Sequence, residues 1–329
     1  MELAGHKCIG FCEFDKYAVM SYTMMHLATP GQVEYIASIP APLKKDGSRN
    51  LNARQKEIMK EEYRNGEWYA NDITTVDAQS MPRADMWLFG APCQDFSIAG
   101  NRAGLGGDRS SLVREVFRLV AEFQEGDRPT YLVYENVKGM LSSNNGWDFA
   151  CIKTEMESLG YIAEYQLLNS KHFGVPQNRE RVFLVGHFRG RCTRKVFPIT
   201  GAGGENSIDV VGKLPGGRRQ RNDLLGVNGI STCLDTMQGG GHEPKIAIPV
   251  LTPDRAEKRH EVAVYVIWHE KYQCYIVIRR LTPKECFRLQ AWTDDYYSRA
   301  ELVNSDSQLY KQAGNGITVS VAEEIGQRL

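Results

Sequence analysis

Several features that would place a chain in a special class are missing from this sequence. No stretch approaches the ~18 apolar residues that a membrane-spanning helix needs, and the first residues, Met1 to Lys7, lack the apolar core of a signal peptide. The eight cysteines include no C-x-x-C pair, which argues against a disulfide framework and against a structural zinc site. We therefore expect a protein of the reducing cytoplasm that holds no metal.

An excess of charge of one sign is missing as well, because 40 basic residues balance 40 acidic ones. Their distribution is nevertheless uneven. Residues 186–280 carry 15 basic and 9 acidic side chains, whereas residues 1–185 carry 20 and 24, and residues 281–329 carry 5 and 7. A basic section between acidic flanks favours a polyanionic partner. The alternative is chance clustering of charges on solvated faces.

The chain has 329 residues, of which 42% are hydrophobic and 24% charged. This composition is typical of a globular protein, and the length favours two domains. Residues 1–185 alternate apolar runs at 6–12, 86–90, 131–134 and 182–185 with helical patterns at 15–26, 111–123 and 147–159. Strands separated by helices indicate an α/β fold with a doubly wound sheet. In such sheets, functional residues follow the carboxyl ends of strands.

Other parts of the chain depart from this alternation. Residues 30–66 contain several prolines and glycines followed by a charged helical stretch, and we predict an irregular surface insertion there. Glycine-rich, weakly periodic pieces predict a second, smaller and loop-rich domain over residues 186–280. Residues 281–329 regain helical patterning, with Thr282 and Pro283 marking a helix start. We expect this last segment to return to the first domain.

Two segments with reactive side chains follow predicted strands. Cys93 lies in a turn after residues 86–90 and precedes a glycine-rich loop, so it can be an exposed nucleophile, although most lone cysteines are buried packing residues. Glu135 directly follows the apolar run at 131–134. Partial burial would raise the pKa of its carboxyl and let it donate a proton near neutrality. The alternative for Glu135 is a cap of the next helix.

Two further segments carry polar residues in special positions. Arg179 and Arg181 are two residues apart at the entrance of a strand, so both point to one side and can donate forked hydrogen bonds to a phosphate or a heterocycle carbonyl. Their alternative is a surface ion pair with Glu180. Asn315, between Gly314 and Gly316, is predicted at a helix start, where a plain N-cap is the alternative.

Taken in order, these segments resemble the DNA (cytosine-5)-methyltransferases. The matching motifs, in chain order, are Cys12-Glu13-Phe14-Asp15, Asn71-Asp72-Ile73, Pro92-Cys93-Gln94, Glu135-Asn136-Val137, Gln177-x-Arg179-x-Arg181, the stretch from Arg280 to Gln290, and Gly314-Asn315-Gly316. The resemblance covers the chain outside residues 30–66 and 190–275. It implies a Rossmann-like methyltransferase sheet and a smaller target-recognition domain in the basic section.

The resemblance also implies a mechanism. Cys93 would add to C6 of cytosine and make C5 nucleophilic, and Glu135 would protonate ring N3. Arg179 would meet the cytosine carbonyl, while Arg181 would support the site and lower the pKa of the thiol. A stacked base cannot reach such a site, so the target cytosine would be flipped out of double-stranded DNA.

Residues for the cofactor and for DNA follow from the same resemblance. The methyl donor would be S-adenosylmethionine. Its predicted contacts are Glu13 on the ribose, Phe14, Asp72 and Ile73 around the adenine, and then Pro92, Leu112 and Asn315. The predicted DNA contacts are Ser97, in the loop that would close over the base, and Arg218, Arg219 and Arg221 in the basic section. The Thr-Leu pair usual in that section is not plainly present in the segment from Ser231 to Thr236.

One family segment has no match in this sequence. Members normally begin with a strand and a Phe-x-Gly-x-Gly loop, which would precede Glu2, so we expect this chain to begin within the first helix of the fold. Losing a central strand would expose two strand edges, and a partner chain could supply it. Three functions stay open at this point: an active DNA methyltransferase, a weakly active remnant that binds DNA, and an RNA cytosine-5 methyltransferase.

Overall fold

The computed structural model describes residues 1–90, 112–191, 193–201, 207–213, 223–227, 229–235, 244–250, 265–270 and 273–329. The strands within these ranges are β1 Gly10–Cys12, β2 Trp68–Ala70, β3 Met86–Gly90, β4 Tyr131–Val137, β5 Tyr161–Asn169, β6 Glu180–Phe188, β7 Val210–Lys213, β8 Asp223–Gly226, β9 Lys245–Val250, β10 Tyr265–His269 and β11 Cys274–Arg280. The α-helices are α1 Lys16–Tyr22, α2 Pro30–Ser38, α3 Asn52–Ile58, α4 Leu112–Glu122, α5 Trp147–Ser158, α6 Pro283–Leu289, α7 Asp294–Glu301, α8 Asp306–Asn315 and α9 Val319–Gly326.

The central sheet has the strand order β3-β4-β6-β5. Strands β3 and β4 are parallel, whereas β6 runs antiparallel to both β4 and β5. The predicted strands at 86–90, 131–134 and 182–185 correspond to β3, β4 and β6. Strand β5 has no counterpart among the predictions, because its residues are mostly only partly buried and do not form a continuous apolar run.

Helices cover both faces of the central sheet. On one face, α4 and α5 bury Phe117 and Ile152 against Leu132 and Tyr134 of β4. On the other face, α9 buries a cluster that includes Val133, the residue between these two. Successive residues of a strand point to opposite faces, which explains why the apolar run in β4 is continuous. The predicted doubly wound α/β fold is confirmed.

Strands β1 and β2 form a separate parallel pair. Gly10 of β1 lies against Trp68, whose side chain would be 3.1 Å from a Cβ atom at position 10. Trp68 of β2 and Trp87 of β3 pack against the same buried cluster, which includes Leu119 of α4. The two-stranded pair therefore shares a core with the central sheet.

The prediction of irregular chain at the start of residues 30–66 is wrong, because Pro30–Ser38 is an α-helix. Thr29 caps it: its hydroxyl accepts from the Gln32 N–H while the Gln32 side chain accepts from the Thr29 N–H. Proline is favoured at the first helical position because its missing N–H needs no partner there. Ile36 and Ile58 pack into a buried cluster with α1 and the chain after α7, so this region contributes to the core.

The described part of residues 186–280 contains a sheet with the order β10-β11-β9-β8-β7. After it, Thr282 caps α6 through a reciprocal hydrogen-bond pair with Glu285, which confirms the predicted helix start. Leu234, from the segment before β9, is buried among the helices that follow residue 281. In the described ranges, no helix is both long enough and apolar enough to span a membrane. The predicted domain boundaries stay predictions.

Candidate active site

Glu135 and Arg181 meet where β4 ends and β6 begins. Val137 pairs with Arg181 across these antiparallel strands, and Arg181 Nε lies 3.1 Å from Glu135 Oε1. The two side chains are only 15% and 13% exposed. Glu135 is not a helix cap, because it lies within β4 and the helical turn that follows has Val137 at its N-cap position with no side-chain cap. The expected alternative of an ion pair with Glu180 is also wrong, since the Glu180 carboxylate pairs with Lys138.

The absence of a side chain at position 90 gives this carboxylate its space. Gly90 is the partner of Glu135 in the parallel register of β3 and β4, and a Cβ atom there would lie 3.3 Å from Glu135 Oε2. Cys93 is outside the described residues, but it follows Gly90 by three positions. The role of Cys93 in this site therefore stays a prediction from the sequence.

Electrostatics give the site a positive balance. Burial raises the pKa of the Glu135 carboxyl, and Arg181 and Arg179 oppose this rise. Burial also lowers the pKa of Arg179, as does the neighbouring charge of Arg181. Two guanidinium groups thus face one carboxyl group, an arrangement that favours negative charge developing nearby.

Arg179 holds three distant parts of the chain together. Its side chain is 2% exposed, and its Nη1 atom donates to the Leu234 carbonyl at 3.1 Å. Its Nη2 atom donates to the carbonyls of Gly314 and Gly316, both at 2.9 Å. The buried Nε atom has no hydrogen-bond acceptor among the described residues. Arg181 is less enclosed, so the geometry favours Arg181 over Arg179 as the guanidinium that faces a substrate.

The segment around Leu234 is fixed to the entrance of β6 by further hydrogen bonds. Asn178 N donates to the Ser231 carbonyl at 2.9 Å, and Ser231 N donates to the Pro176 carbonyl at 2.6 Å. Leu234 N donates to Gln177 Oε1 at 3.3 Å. Part of the predicted recognition region therefore lies directly against the site.

Cys233 belongs to the site although the sequence did not single it out. Its Sγ atom accepts from Arg179 Nη1 at 3.5 Å and lies 3.9 Å from both Nη atoms of Arg181. The available signal was its place in the segment where the family usually shows a Thr-Leu pair. Spacing along the chain could not show it, because Cys233 is 52 positions away from Arg181.

A second group of predicted residues lies at the carboxyl ends of β1 and β2. Glu13 N donates to the Ala70 carbonyl at 3.1 Å, which places Glu13 beside the start of the segment containing Asp72. Burial, with the nearby Glu13 and Asp72 carboxylates, raises the pKa of the Cys12 thiol to about 11. Both carboxylates therefore act on Cys12, the last residue of β1. The ring of Phe14 is 75% exposed beside them.

The remaining predicted cofactor residues fall into different settings. Asp72 Oδ1 accepts from the backbone and hydroxyl of Thr74 and caps the turn Ile73–Thr75. Ile73 packs against the cluster containing Leu119 of α4, and Leu112 is the first residue of that helix.

The prediction that Asn315 starts a helix is wrong, because Asn315 is the exposed last residue of α8. The reason is that Gly316 N still donates to the Gln312 carbonyl, so the preceding helix extends to this point.

Several predicted site residues lie outside the described residues, and their roles stay predictions. They are Pro92, Cys93, Ser97, Arg218, Arg219 and Arg221. Within the described ranges, no group of three or more histidine, cysteine, aspartate or glutamate side chains could hold a metal ion.

Comparison with known proteins gives a consistent result. The family model for the C-5 cytosine-specific DNA methylase matches residues 51–329. The type II methyltransferase M.Bsp6I of Bacillus sp. (strain RFL6) is 31% identical over 79% of this chain and 82% of its own length. The orphan methyltransferase M.SPRI of Bacillus phage SPR is 26% identical over 99% of this chain and 92% of its own length.

Solved structures show the same fold at lower identity. The Entamoeba histolytica methyltransferase EhMeth superposes with a TM-score of 0.56 at 13% identity, covering 97% of each chain. The S. pombe Dnmt2 methyltransferase superposes with a TM-score of 0.57 at 15% identity, covering 98% of this chain and 91% of its own.

Proposed function

The chain belongs to the C-5 cytosine-specific DNA methylase family, and we propose that it methylates C5 of a flipped-out cytosine within a specific double-stranded DNA sequence. The observation that carries the proposal is the buried Glu135–Arg181 pair at the carboxyl end of β4. It lies opposite Gly90, and the predicted nucleophile Cys93 follows Gly90 closely in the chain.

The chemistry assigns one task to each of these side chains. The Cys93 thiolate adds to C6 of the cytosine ring. The π electrons of the C5–C6 bond then form a C4–C5 double bond, and those of the N3–C4 bond move to N3, which makes C5 nucleophilic. Glu135 donates its proton to N3, because burial keeps its carboxyl protonated at higher pH than usual. Arg181 holds Glu135 and offers its Nη atoms to the cytosine carbonyl. After methylation at C5, a base removes the C5 proton, and the electron pair of that bond re-forms the C5–C6 double bond as the Cys93–C6 bond breaks and releases the thiolate. The N3 proton returns to Glu135, and the aromatic ring is restored.

Arg179 acts through other groups in this proposal. Its Nη atoms are engaged by the carbonyls of Leu234, Gly314 and Gly316. It therefore fixes the segment around Leu234 (the recognition segment) and the end of α8 against the start of β6 (the catalytic strand). Its positive charge also acts on the site from behind Arg181.

The residues at the ends of β1 and β2 fit S-adenosylmethionine. Carboxylates accept hydrogen bonds from ribose hydroxyls and from an adenine amino group. Glu13 follows β1 and Asp72 follows β2, and both carboxylates act on Cys12 between them. The exposed ring of Phe14 offers a stacking surface for a purine. When bound, this cofactor supplies the methyl group. Ile73, Pro92, Leu112 and Asn315 are proposed as its further contacts.

The DNA interface is proposed in the basic section. Residues 186–280 carry 15 basic and 9 acidic side chains, and phosphate contacts by such residues provide most non-specific affinity. We assign Arg218, Arg219 and Arg221 to phosphates and Ser97 to the loop that closes over the flipped base. The contacts of Arg179 with Leu234 would link DNA recognition to the catalytic strand.

A further strand is proposed between the two sheets. Among the described residues, β1 pairs only with β2, and β3 pairs only with β4. Leu88 of β3 and Ile9, which directly precedes β1, are 40% and 36% exposed, which is unusual for apolar residues in or beside an interior strand. A strand from a partner chain, or from chain that precedes Met1, would pair with both edges and cover these side chains.

The proposal is tested by trapping the covalent adduct. The substrate is a plasmid fragment amplified with 5-fluorocytosine in place of cytosine, so that every recognition sequence is represented. Fluorine at C5 cannot leave as a proton does, so the wild-type protein with S-adenosylmethionine should form an adduct that survives denaturing electrophoresis. The Cys93→Ser variant should form none while still retarding the DNA.

The other outcomes of this assay identify the alternative functions. Adduct formation with a 5-fluorocytosine RNA transcript of the same sequence, and not with the duplex, would indicate an RNA methyltransferase. DNA retardation without an adduct, even at high cofactor concentration, would indicate a DNA-binding remnant. An adduct that persists in Cys93→Ser would contradict the assignment of the nucleophile.

A further inference from the structure

Helix α8, Asp306–Asn315, touches both the proposed cofactor pocket and the catalytic strand. Near its carboxyl end, Lys311 Nζ lies 2.6 Å from Asp15 Oδ2, with the two side chains 29% and 26% exposed. Just beyond, Gly314 and Gly316 accept the hydrogen bonds from Arg179 Nη2. One turn of helix and its end thus connect the two halves of the proposed site.

Asp15 in turn supports Glu13. The Asp15 N–H donates to Glu13 Oε1 at 2.7 Å, while Asp15 Oδ1 accepts from Tyr17 N at 2.9 Å and caps α1. Within the turn Glu13–Phe14–Asp15, a backbone N–H therefore holds the Glu13 carboxylate, and the Tyr17 N–H holds one oxygen of the Asp15 carboxylate. Lys311 contacts the other oxygen of the Asp15 carboxylate.

The charge of Lys311 also reaches Glu13. Burial raises the pKa of the Glu13 carboxyl and the Asp15 charge raises it further, whereas the Lys311 charge lowers it. Burial alone would likewise raise the pKa of Asp15, but hydrogen bonds from Lys311 and from backbone N–H groups hold it below its usual value. An ionised carboxylate is the form that accepts hydrogen bonds from two adjacent hydroxyls.

The packing of α8 does not depend on Lys311. The next residue, Gln312, donates from Nε2 to the Tyr17 carbonyl at 3.0 Å and accepts from Ser21 Oγ at 2.7 Å. Asn304, just before α8, donates to the same carbonyl and to Ser21 Oγ. These contacts fix α8 on α1, so removing the lysine charge alone should leave the helix in place.

We propose that Lys311 is a positioning residue for the cofactor: it holds Asp15, and through Asp15 it orients the Glu13 carboxylate toward the ribose hydroxyls. This inference rests on the proposed function, in which Glu13 binds S-adenosylmethionine. It adds that a residue of the carboxyl-terminal segment, 298 positions away from Glu13, sets the affinity for the cofactor.

The test compares Lys311→Met, Lys311→Arg and Glu13→Gln with the wild-type protein. Lys153→Met is the matched control, since Lys153 is a partly exposed lysine paired with Glu157 on α5. Equilibrium dialysis with radiolabelled S-adenosylmethionine measures affinity, and methylation of plasmid DNA measures kcat and KM. Thermal unfolding without ligand measures stability.

Lys311→Met should weaken cofactor binding about tenfold, the scale of one charge-assisted contact. It should raise the KM for S-adenosylmethionine, while kcat stays within about twofold of the wild-type value. Lys311→Arg should restore most of the affinity, and Lys153→Met should change nothing. Unchanged affinity in Lys311→Met together with weakened binding in Glu13→Gln would overturn the inference. So would equal losses in the Met and Arg variants. If Glu13→Gln also binds normally, the proposed cofactor pocket itself is wrong.

If Lys311→Met unfolds well below the wild-type temperature, Asp15→Asn serves as the second variant. It keeps the shape of the Asp15 side chain and removes the charge that Lys311 contacts. It should weaken cofactor binding to the same extent as a folded Lys311→Met protein would. Wild-type affinity in Asp15→Asn would also overturn the inference.

Discussion

Replacing Arg179 by methionine tests whether this buried guanidinium joins the recognition segment to the catalytic strand. Methionine fills a similar volume but donates no hydrogen bond. The carbonyls of Leu234, Gly314 and Gly316 would each lose a charged donor, and the side chain they surround is only 2% exposed. Water therefore cannot replace the lost partners without opening the structure.

The expected magnitude follows from these three contacts. A buried acceptor left without a partner costs about 1–3 kcal/mol. The carbonyls of Leu234 and Gly316 each keep one longer hydrogen bond, from Cys233 Sγ and Gln290 Nε2, both at 3.4 Å. Removing a buried charge also relieves some desolvation, so the lower end of this range applies to each carbonyl and the sum is about 3 kcal/mol. This is a large share of the ~5–15 kcal/mol that stabilises a typical domain.

Urea denaturation, followed by tryptophan fluorescence and circular dichroism, measures the change. Arg128→Met is the matched control, because Arg128 also donates to backbone carbonyls, those of Leu159 and Phe123, but is only half-buried. Its carbonyls can be rehydrated, so it should lose less than about 1 kcal/mol. If Arg179→Met is destabilised no more than Arg128→Met, the proposed joining role is refuted.

Three other changes test the remaining assignments. Glu135→Gln should lower kcat by a factor of about 10² or more. In the wild-type protein, kcat should fall as pH rises through the raised pKa of Glu135, because the carboxyl then loses the proton that it donates. The residual activity of the variant should not show this fall. Reversing the charge of two among Arg218, Arg219 and Arg221 should reduce the slope of log affinity against log salt by about one per lost phosphate contact, and an unchanged slope would mean that these arginines do not contact DNA. The third change adds an apolar strand that ends in Phe-x-Gly-x-Gly to the amino end of the chain. It should raise the unfolding temperature and tighten cofactor binding, as measured by calorimetric titration. No change in either quantity would contradict the proposed strand between β1 and β3.

Local patterns in the sequence were sufficient for the main elements of the fold. The apolar runs at 86–90 and 131–134 predicted β3 and the core of β4. In β4 the run is continuous because a strand buried on both faces carries apolar side chains at successive positions. The Thr282–Pro283 start predicted α6, because capping involves residues that are close in sequence. The ordered motifs also placed the chain in its family, which the match over residues 51–329 bears out.

Local patterns gave wrong predictions where the same residue types occur in two different local structures. Prolines and glycines near residue 30 suggested irregular chain, but a proline in the first turn after a capping threonine begins a helix. Asn315 suggested a helix start and proved to be a helix end. Both residue types occur on either side of a helix boundary, so neighbouring residues decide which side applies.

Only the tertiary structure decided which side chains meet. The sequence indicated that Glu135 and Arg181 are polar residues at strand ends, but their pairing depends on the register of β4 against β6, strands more than 40 positions apart. The contact of Lys311 with Asp15 spans 296 positions. Periodicity and composition report the environment of each residue, whereas a contact between distant residues depends on how whole strands and helices pack. For this reason the sequence indicated the family and the candidate residues of the site, and it did not indicate the contacts that Arg179, Cys233 and Lys311 make.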